Sequence, residues 1–226
     1  MEATSFPDLA LDFDATLVKP SGNDKFLDYL EQVRSITCDR ELFAQSGNWQ
    51  KATGLNQDQL GVEYAAFQHS PAYRAPPAMP GAKIAVRVLL DYFTLHIVTA
   101  RGKESADVTR KEIHHHFRGS FSSVSYSTEG VKAERVTALR AFLLIEDSIE
   151  HALQVAEVAK VILFPSPNMN SHHVHPNIVL PKAYDLIGDG MDDQDWHTVW
   201  LMTWQEIPDL VKDIYATRHQ TKVAVH

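Results

Sequence analysis

Two aspartates stand one residue apart in "LALDFDAT", residues 9–16, at the end of an apolar run. Alternation along a strand turns the side chains of Asp12 and Asp14 roughly the same way. Two carboxylates that close repel, and both ionise only beside a cation. A hard divalent ion such as Mg2+ supplies that charge and prefers oxygen ligands, so the pair reads as half of a metal site. Two more acids, Glu146 and Asp147, end the apolar run of "FLLIEDS", and Thr99, Ala100, Arg101 and Gly102 end that of "LHIVTARG". A hydroxyl followed by the backbone N–H groups of a turn can hold phosphate oxygens. Lys132, in "EGVKAERV", stands near the start of a helical stretch. An ammonium there can neutralise both a phosphate and an attacking carboxylate; Lys103 is the alternative. Each residue also has a plainer reading: strand-end acid, turn threonine, surface arginine, solvated lysine.

These residues need a frame that brings them together. Short apolar runs at 9–13, 95–98, 124–126, 142–145 and 161–164 have the length of strands buried on both faces. Ala82, Ala85, Val86, Leu89, Leu90 and Phe93 form a helical stripe after Pro80-Gly81, and Ala152, Val155, Ala156 and Ala159 form another. Alternating strands and helices predict an α/β fold, a Rossmann-like parallel sheet with helices on both faces. Ligands of such sheets bind beyond the carboxyl ends of the strands, where the acids and Thr99 lie. The alternation breaks between 19 and 79. Phe26, Leu27, Leu30 and Val33 suggest one helix there, "DQLGVEYAAF" suggests a second, and the proline-rich "SPAYRAPPAMPG" returns the chain. The expected organisation is a core of 1–18 and 80–226 with a small helical cap, 19–79, inserted after the first strand. "HTVWLMTWQEIPDLVKDIY" suggests a strand or turn and then a terminal helix.

In their order, "DFDAT", "VTARG", Lys132 and "LLIEDSIEHA" resemble the four motifs of the haloacid dehalogenase superfamily of phosphohydrolases, over about residues 8 to 165. The resemblance implies Asp12 as nucleophile, forming an aspartyl-phosphate, and Asp14 as the acid and base of the two half-reactions. It implies Mg2+ on Asp12, the backbone carbonyl of Asp14, Asp147 and the phosphate. Glu146 would contact the metal or hold a water on it. Thr99 and the N–H of Ala100 would grip the phosphoryl group, Arg101 would contact substrate, and Lys132 would balance charge. The insertion corresponds to that family's type 1 cap. "PPAMPGA", "TAR" and "TWQEIPDLV" look most like its 5'-nucleotidase-like branch. "LIEDS" also resembles the fourth motif of the sugar-phosphate mutases, so a phosphotransferase or mutase is the alternative, with a catalytically silent binding module as a third reading. A dehalogenase needs no pair of metal-binding acids. The family usually has glycine where this chain has Ala15.

The remaining features narrow the partners. With a net charge of -8 and no block of Lys and Arg, a nucleic-acid polymer is not expected; a small phosphorylated metabolite is. One cysteine, Cys38, rules out a disulfide within the chain and fits a reducing compartment. No signal peptide or membrane-length apolar run is visible, so the expectation is a cytoplasmic protein with no membrane partner. No coiled-coil heptad marks an oligomer. The histidines of "HHHF", 114–117, and "SHHVH", 171–175, invite a zinc reading, but neighbouring histidines on a helix face different ways. "GDGMDDQD", 188–195, lacks the glutamate of a calcium loop and reads as an acidic surface loop. Trp49, Tyr64, Phe67 and Tyr73 can stack on a base or simply fill the insertion's core.

Overall fold

Six short strands, β1 (Asp8–Leu11), β2 (Thr94–Thr99), β3 (Ser123–Tyr126), β4 (Leu143–Glu146), β5 (Lys160–Leu163) and β6 (Ile178–Val179), form one parallel sheet in the order β3-β2-β1-β4-β5-β6. The computed structural model describes residues 6–19, 23–46, 48–126, 132–166, 175–188 and 190–223. Five strands fall on the apolar runs, displaced by a residue or two. β6 has only two residues, too few to carry a period.

Alternation along each strand sorts the core into two layers. Leu9, Leu11, Leu95, Ile97, Leu143 and Ile145 face one side, against Ala82, Ala85, Val86 and Leu89 of α5 (Ala82–Leu90). Ala10, Val98, Leu144, Val161 and Leu163 face the other, against Val136 of α7 (Lys132–Ala138) and Ala152, Val155 and Ala156 of α8 (Ile149–Ala156). With β1 in the middle and covered on both faces, its carboxyl end is held on every side. α6 (Ala106–Phe117) follows β2.

The terminal segment departs from expectation. Residues 193–223 form one helix, α9 (Asp193–Val223), with Pro208 inside it. The β-branched and aromatic run "HTVW" suggests extended chain, yet Trp200, Trp204, Ile207 and Val211 recur at helical spacing and are buried in the first layer. Tertiary burial outweighs both local propensity and the N–H that proline lacks. The acidic segment before it becomes a helix start: Asp192 Oδ1 accepts from the N–H groups of Gln194 and Asp195 at 2.8 and 2.9 Å. No helix among the described residues is long and apolar enough to cross a membrane.

Between β1 and α5 the chain forms α1 (Asn23–Gln32), α2 (Arg40–Ser46), α3 (Trp49–Thr53) and α4 (Gln57–Gln68). Phe26, Tyr29, Leu30, Leu60 and Phe67 make a separate core, with Trp49, Tyr64, Tyr73 and Cys38 packed against it. The four aromatics proposed for base stacking are thus members or neighbours of this core, and burial pushes the Cys38 thiol pKa up, away from the reactive thiolate. Val33, expected on the buried face of α1, lies beyond its end and is 62% exposed. The two ends of the insertion run side by side: Lys19 N–H donates to the Pro77 carbonyl at 2.8 Å and Met79 N–H to the Leu17 carbonyl at 2.9 Å. Gly81 follows, at φ 82°, where a Cβ would stand 2.9 Å from Cβ of Trp204. Only glycine satisfies both the angle and the approach of α9.

Candidate metal and phosphate site

β1 and β4 are neighbours in register, Leu11 opposite Ile145, so Asp12 and Glu146 leave the sheet side by side. The Asp12 N–H donates to the Ile145 carbonyl at 2.9 Å, extending the ladder to the aspartate itself. Asp12, Glu146 and Asp147 each offer a carboxylate oxygen, and these atoms all lie within 4.8 Å of one another. Among the described residues no other group of three His, Cys, Asp or Glu side chains does this. His114 and His115 are exposed, and His116 is bonded through Nε2 to the Pro76 carbonyl at 2.9 Å. His172 and His173 lie outside the described residues.

Lys132 reaches the acids from the first turn of α7. Its Nζ donates to Asp12 Oδ1 at 2.6 Å and to Glu146 Oε2 at 2.7 Å, and its side chain is 1% exposed. Lys103, the alternative lysine, sits exposed in a 3-10 turn after β2. Glu146 Oε1 accepts from the Ser148 N–H at 3.0 Å and lies 3.6 Å from His151 Nδ1, a neighbour that the sequence reading missed.

One ammonium does not neutralise three carboxylates, two of them buried and the third, Asp147, partly so. Burial pushes the Asp12 carboxyl up to about 7 against the pull of Lys132, with Glu146 adding to the rise. Burial, Glu146 and Asp12 hold Asp147 well above the usual carboxylate range. Burial acts on Glu146 in the same sense, but Lys132 and His151 outweigh it and hold Glu146 below its ordinary value. Burial also opposes the charge on Lys132, yet Asp12 and Glu146 keep it raised and protonated. Such a group could hold a cation: all its donors are carboxylate oxygens, and ionising them together needs more positive charge than Lys132 provides.

Asp14 is not in this group. Its carboxylate pairs with Arg101, Nε to Oδ2 at 2.7 Å and Nη2 to Oδ1 at 2.6 Å. The sequence reading gave Arg101 to the substrate or the surface, yet its side chain is 3% exposed and also donates from Nη1 to Thr109 and Glu112. The sequence did carry a signal for this. Thr109, Glu112, Ile113 and Phe117 share the buried face of α6, and an acid on such a face requires a partner. Thr99 is buried at the end of β2, its Oγ1 accepting from the Arg101 N–H at 3.2 Å, while Ala100 is exposed at the bend that follows.

The turn after Asp12 closes through Leu17 and Val18 N–H groups donating to the Phe13 carbonyl at 3.0 and 3.1 Å. It needs a left-handed residue, and Ala15 takes that place at φ 55°. This angle costs an L-residue roughly 1–2 kcal/mol, whereas glycine adds about 0.5–1 kcal/mol of lost chain freedom. Ala15→Gly is therefore expected to stabilise the protein by about 0.5–1 kcal/mol, a rise of roughly 1–4 °C in Tm. A lower Tm by calorimetry would show that the methyl group earns more in packing than it loses in strain.

No protein-family model matches the sequence, and no curated protein is significantly similar to it. Solved structures are similar in fold. A haloacid dehalogenase-like hydrolase from Xanthomonas campestris superposes with a TM-score of 0.54 at 10% identity, over 96% of this chain and 100% of the other. A haloacid dehalogenase-like family hydrolase from Streptococcus pneumoniae gives 0.51 at 15% identity, over 71% of this chain and 85% of the other. A parallel six-stranded sheet with helices on both faces, matched at these levels, gives the chain the haloacid dehalogenase-like α/β fold.

Proposed function

We propose that the protein is a Mg2+-dependent phosphohydrolase acting on a small phosphomonoester, with Asp12 as its nucleophile. The observation that carries this reading is the meeting of Asp12, Glu146 and Asp147 around Lys132 at the carboxyl ends of adjacent strands. Asp12, Asp147 and the backbone carbonyl of Asp14 would hold the metal, with Glu146 beside it. When bound, Mg2+ supplies Lewis-acid polarisation and the positive charge that the buried acids lack.

The chain's own groups supply the rest. Lys132 holds Oδ1 of Asp12, so Oδ2 is the oxygen that attacks phosphorus. As that bond forms, the bond to the leaving oxygen breaks and Asp14, which must enter this step protonated and turned from Arg101, gives the departing group its proton. Water then attacks the aspartyl-phosphate, Asp14 takes the proton of that water, and Asp12 is regenerated. The Thr99 hydroxyl and the Ala100 N–H grip the oxygens of the transferred group, and Lys132 offsets their charge. Positioning and electrostatic stabilisation are what phosphoryl transfer chiefly needs. The four-helix insertion, rooted at the turn after Asp12, serves as the cap that selects the substrate.

The test is phosphate release from a panel of nucleoside 5'-monophosphates and sugar phosphates, with Mg2+ and with EDTA. Turnover is expected with Mg2+ and not with EDTA, nucleotides being the first substrates to try because "PPAMPGA" and "TAR" resemble the 5'-nucleotidase-like branch. In 18O-labelled water the released phosphate should carry label; unlabelled phosphate moved to a second substrate would indicate a phosphotransferase instead. A panel without turnover under either condition sinks the reading.

A further inference from the structure

The helix α6 grips the return segment of the insertion at two points, one helical turn apart. Glu112 Oε1 accepts from the Tyr73 hydroxyl, and His116 Nε2 donates to the Pro76 carbonyl at 2.9 Å. Residues four apart on a helix are neighbours on its surface, so one face of α6 meets one stretch of chain. Behind that face Arg101 Nη1 donates to Glu112 Oε2 at 2.8 Å, and the Glu112 side chain is 3% exposed. The two grips differ in their distance from the root of the insertion. Pro76 adjoins Pro77, whose carbonyl accepts from the Lys19 N–H, and Val18 bridges Ala78. A rotation about that short ladder leaves Pro76 almost in place and swings Tyr73 away from α6.

Gln68 burdens the same seam. It lies two helical turns after Gly61 on α4, and so on the same stripe of that helix. The stripe faces the turn after β2: a Cβ on Gly61 would stand 3.8 Å from Glu104 Oε1. Gln68 is 4% exposed, yet neither polar atom of its carboxamide has a hydrogen-bond partner among the described residues. A buried polar group left unpaired costs its full desolvation, and parting the two surfaces returns water to it.

We propose that the insertion swings from the sheet edge as a lid, latched by Tyr73 on Glu112 and loaded against that latch by the Gln68 amide. The pivot is the ladder between the two linkers, with His116 pinning Pro76 beside it. This rests on the reading of the insertion as the cap and asks nothing of the chemistry at Asp12. The two side chains act with opposite sign: the Tyr73 hydroxyl stabilises the closed form, and the Gln68 carboxamide the open one. Burial pushes the Tyr73 hydroxyl pKa up, so it stays a donor, and a hydrogen bond to a charged partner is about twice as strong as a neutral one. The Tyr73 ring meets that of Phe67 edge-on at 5.4 Å, in the insertion's own core, so the latch travels with the insertion. A covered site must open for substrate to enter and product to leave, and such steps limit many enzymes.

Hydrogen–deuterium exchange of the full chain, without substrate or metal, reads the opening directly, because local opening exposes amides that the closed form protects. Tyr73→Phe keeps the ring and removes the hydroxyl. It is expected to speed exchange in 68–75 and 101–105 about tenfold or more, the effect of losing one charge-assisted hydrogen bond. Gln68→Leu keeps the bulk and removes the unpaired amide, and is expected to slow exchange in the same segments about fivefold. Neither variant should change exchange in β4 or β5. Opposite shifts confined to the seam support the latch. Shifts of the same sign in both variants, shifts of equal size in β4 and β5, or an unchanged rate in either variant would overturn it. Exchange needs no turnover, so this measurement and the phosphate-release panel tell a failed latch apart from a failed phosphohydrolase reading.

Discussion

Asp12→Asn is expected to fold and to turn over no phosphomonoester. The amide keeps the size of the carboxylate but cannot form the acyl-phosphate bond. Loss of a single positioned donor already costs about a hundredfold, so at least that loss is expected for the proposed nucleophile. The folded state should show the opposite trend. Burial lifts the Asp12 pKa to about 7 from its ordinary 3.8. The unfolded chain therefore releases this proton first, and the stability that the group contributes is present below about pH 4 and lost as the pH rises through about 7. In EDTA at pH 8 the asparagine variant should melt higher than wild type, with the gap closing toward pH 4. Added Mg2+ should raise the wild-type Tm, since a ligand at a hundredfold its Kd adds about 2.7 kcal/mol. A variant that melts lower than wild type in EDTA at pH 8, or that keeps its activity, contradicts the account given of this residue.

Lys132→Met is expected to be the most destabilising single change at the site. Methionine matches the length of the stem but not the charge. Asp12 and Glu146 then lose a donor at 2.6 and 2.7 Å in a place that water does not reach. Removing one member of a buried pair costs about 3–5 kcal/mol, or on the order of 10 °C in Tm for a chain of this size. Glu146 sets the pH dependence. Held below its ordinary value of 4.5, mainly by Lys132 against the effect of burial, it stabilises the native state above that pH and loses this as the pH falls through its folded pKa. The difference between wild type and variant should therefore narrow from pH 7.5 to pH 4. Urea melts at the two values provide the check, and a variant within 1 kcal/mol of wild type at pH 7.5 would be incompatible with the geometry.

What could be read from the sequence was set by range. Strand periodicity and the acids at strand ends are local signals, so β1, β2, β4 and β5 and the residues that end them could be read directly. The break in alternation after β1 could be read too, since helices alone lie between β1 and α5 among the described residues. Lys132 gained a place from its position before β4, but only three dimensions bring its ammonium to Asp12, 120 residues earlier. Arg101 shows the limit. Its type suggests an anion and its neighbours suggest a phosphate, whereas the partners it meets come from the turn after β1 and from α6 and are known only once the chain is folded. α9 was obscured differently: a β-branched, aromatic run and a proline both argue locally against helix, and burial of Trp200 and Trp204 overrules them.

The indole of Trp204 donates to the carbonyl of Thr16 at 3.1 Å, across 188 positions of chain. The loop that carries Asp14 and Ala15 is thus stapled by a side chain synthesised long after it. Closure over so long a separation is entropically slow. A nascent chain can assemble its strands while still tethered to the ribosome, but it cannot complete the cradle around Asp12 until the indole has emerged. Completion of that cradle should therefore come abruptly, only once the α9 segment has followed the strands out of the ribosome.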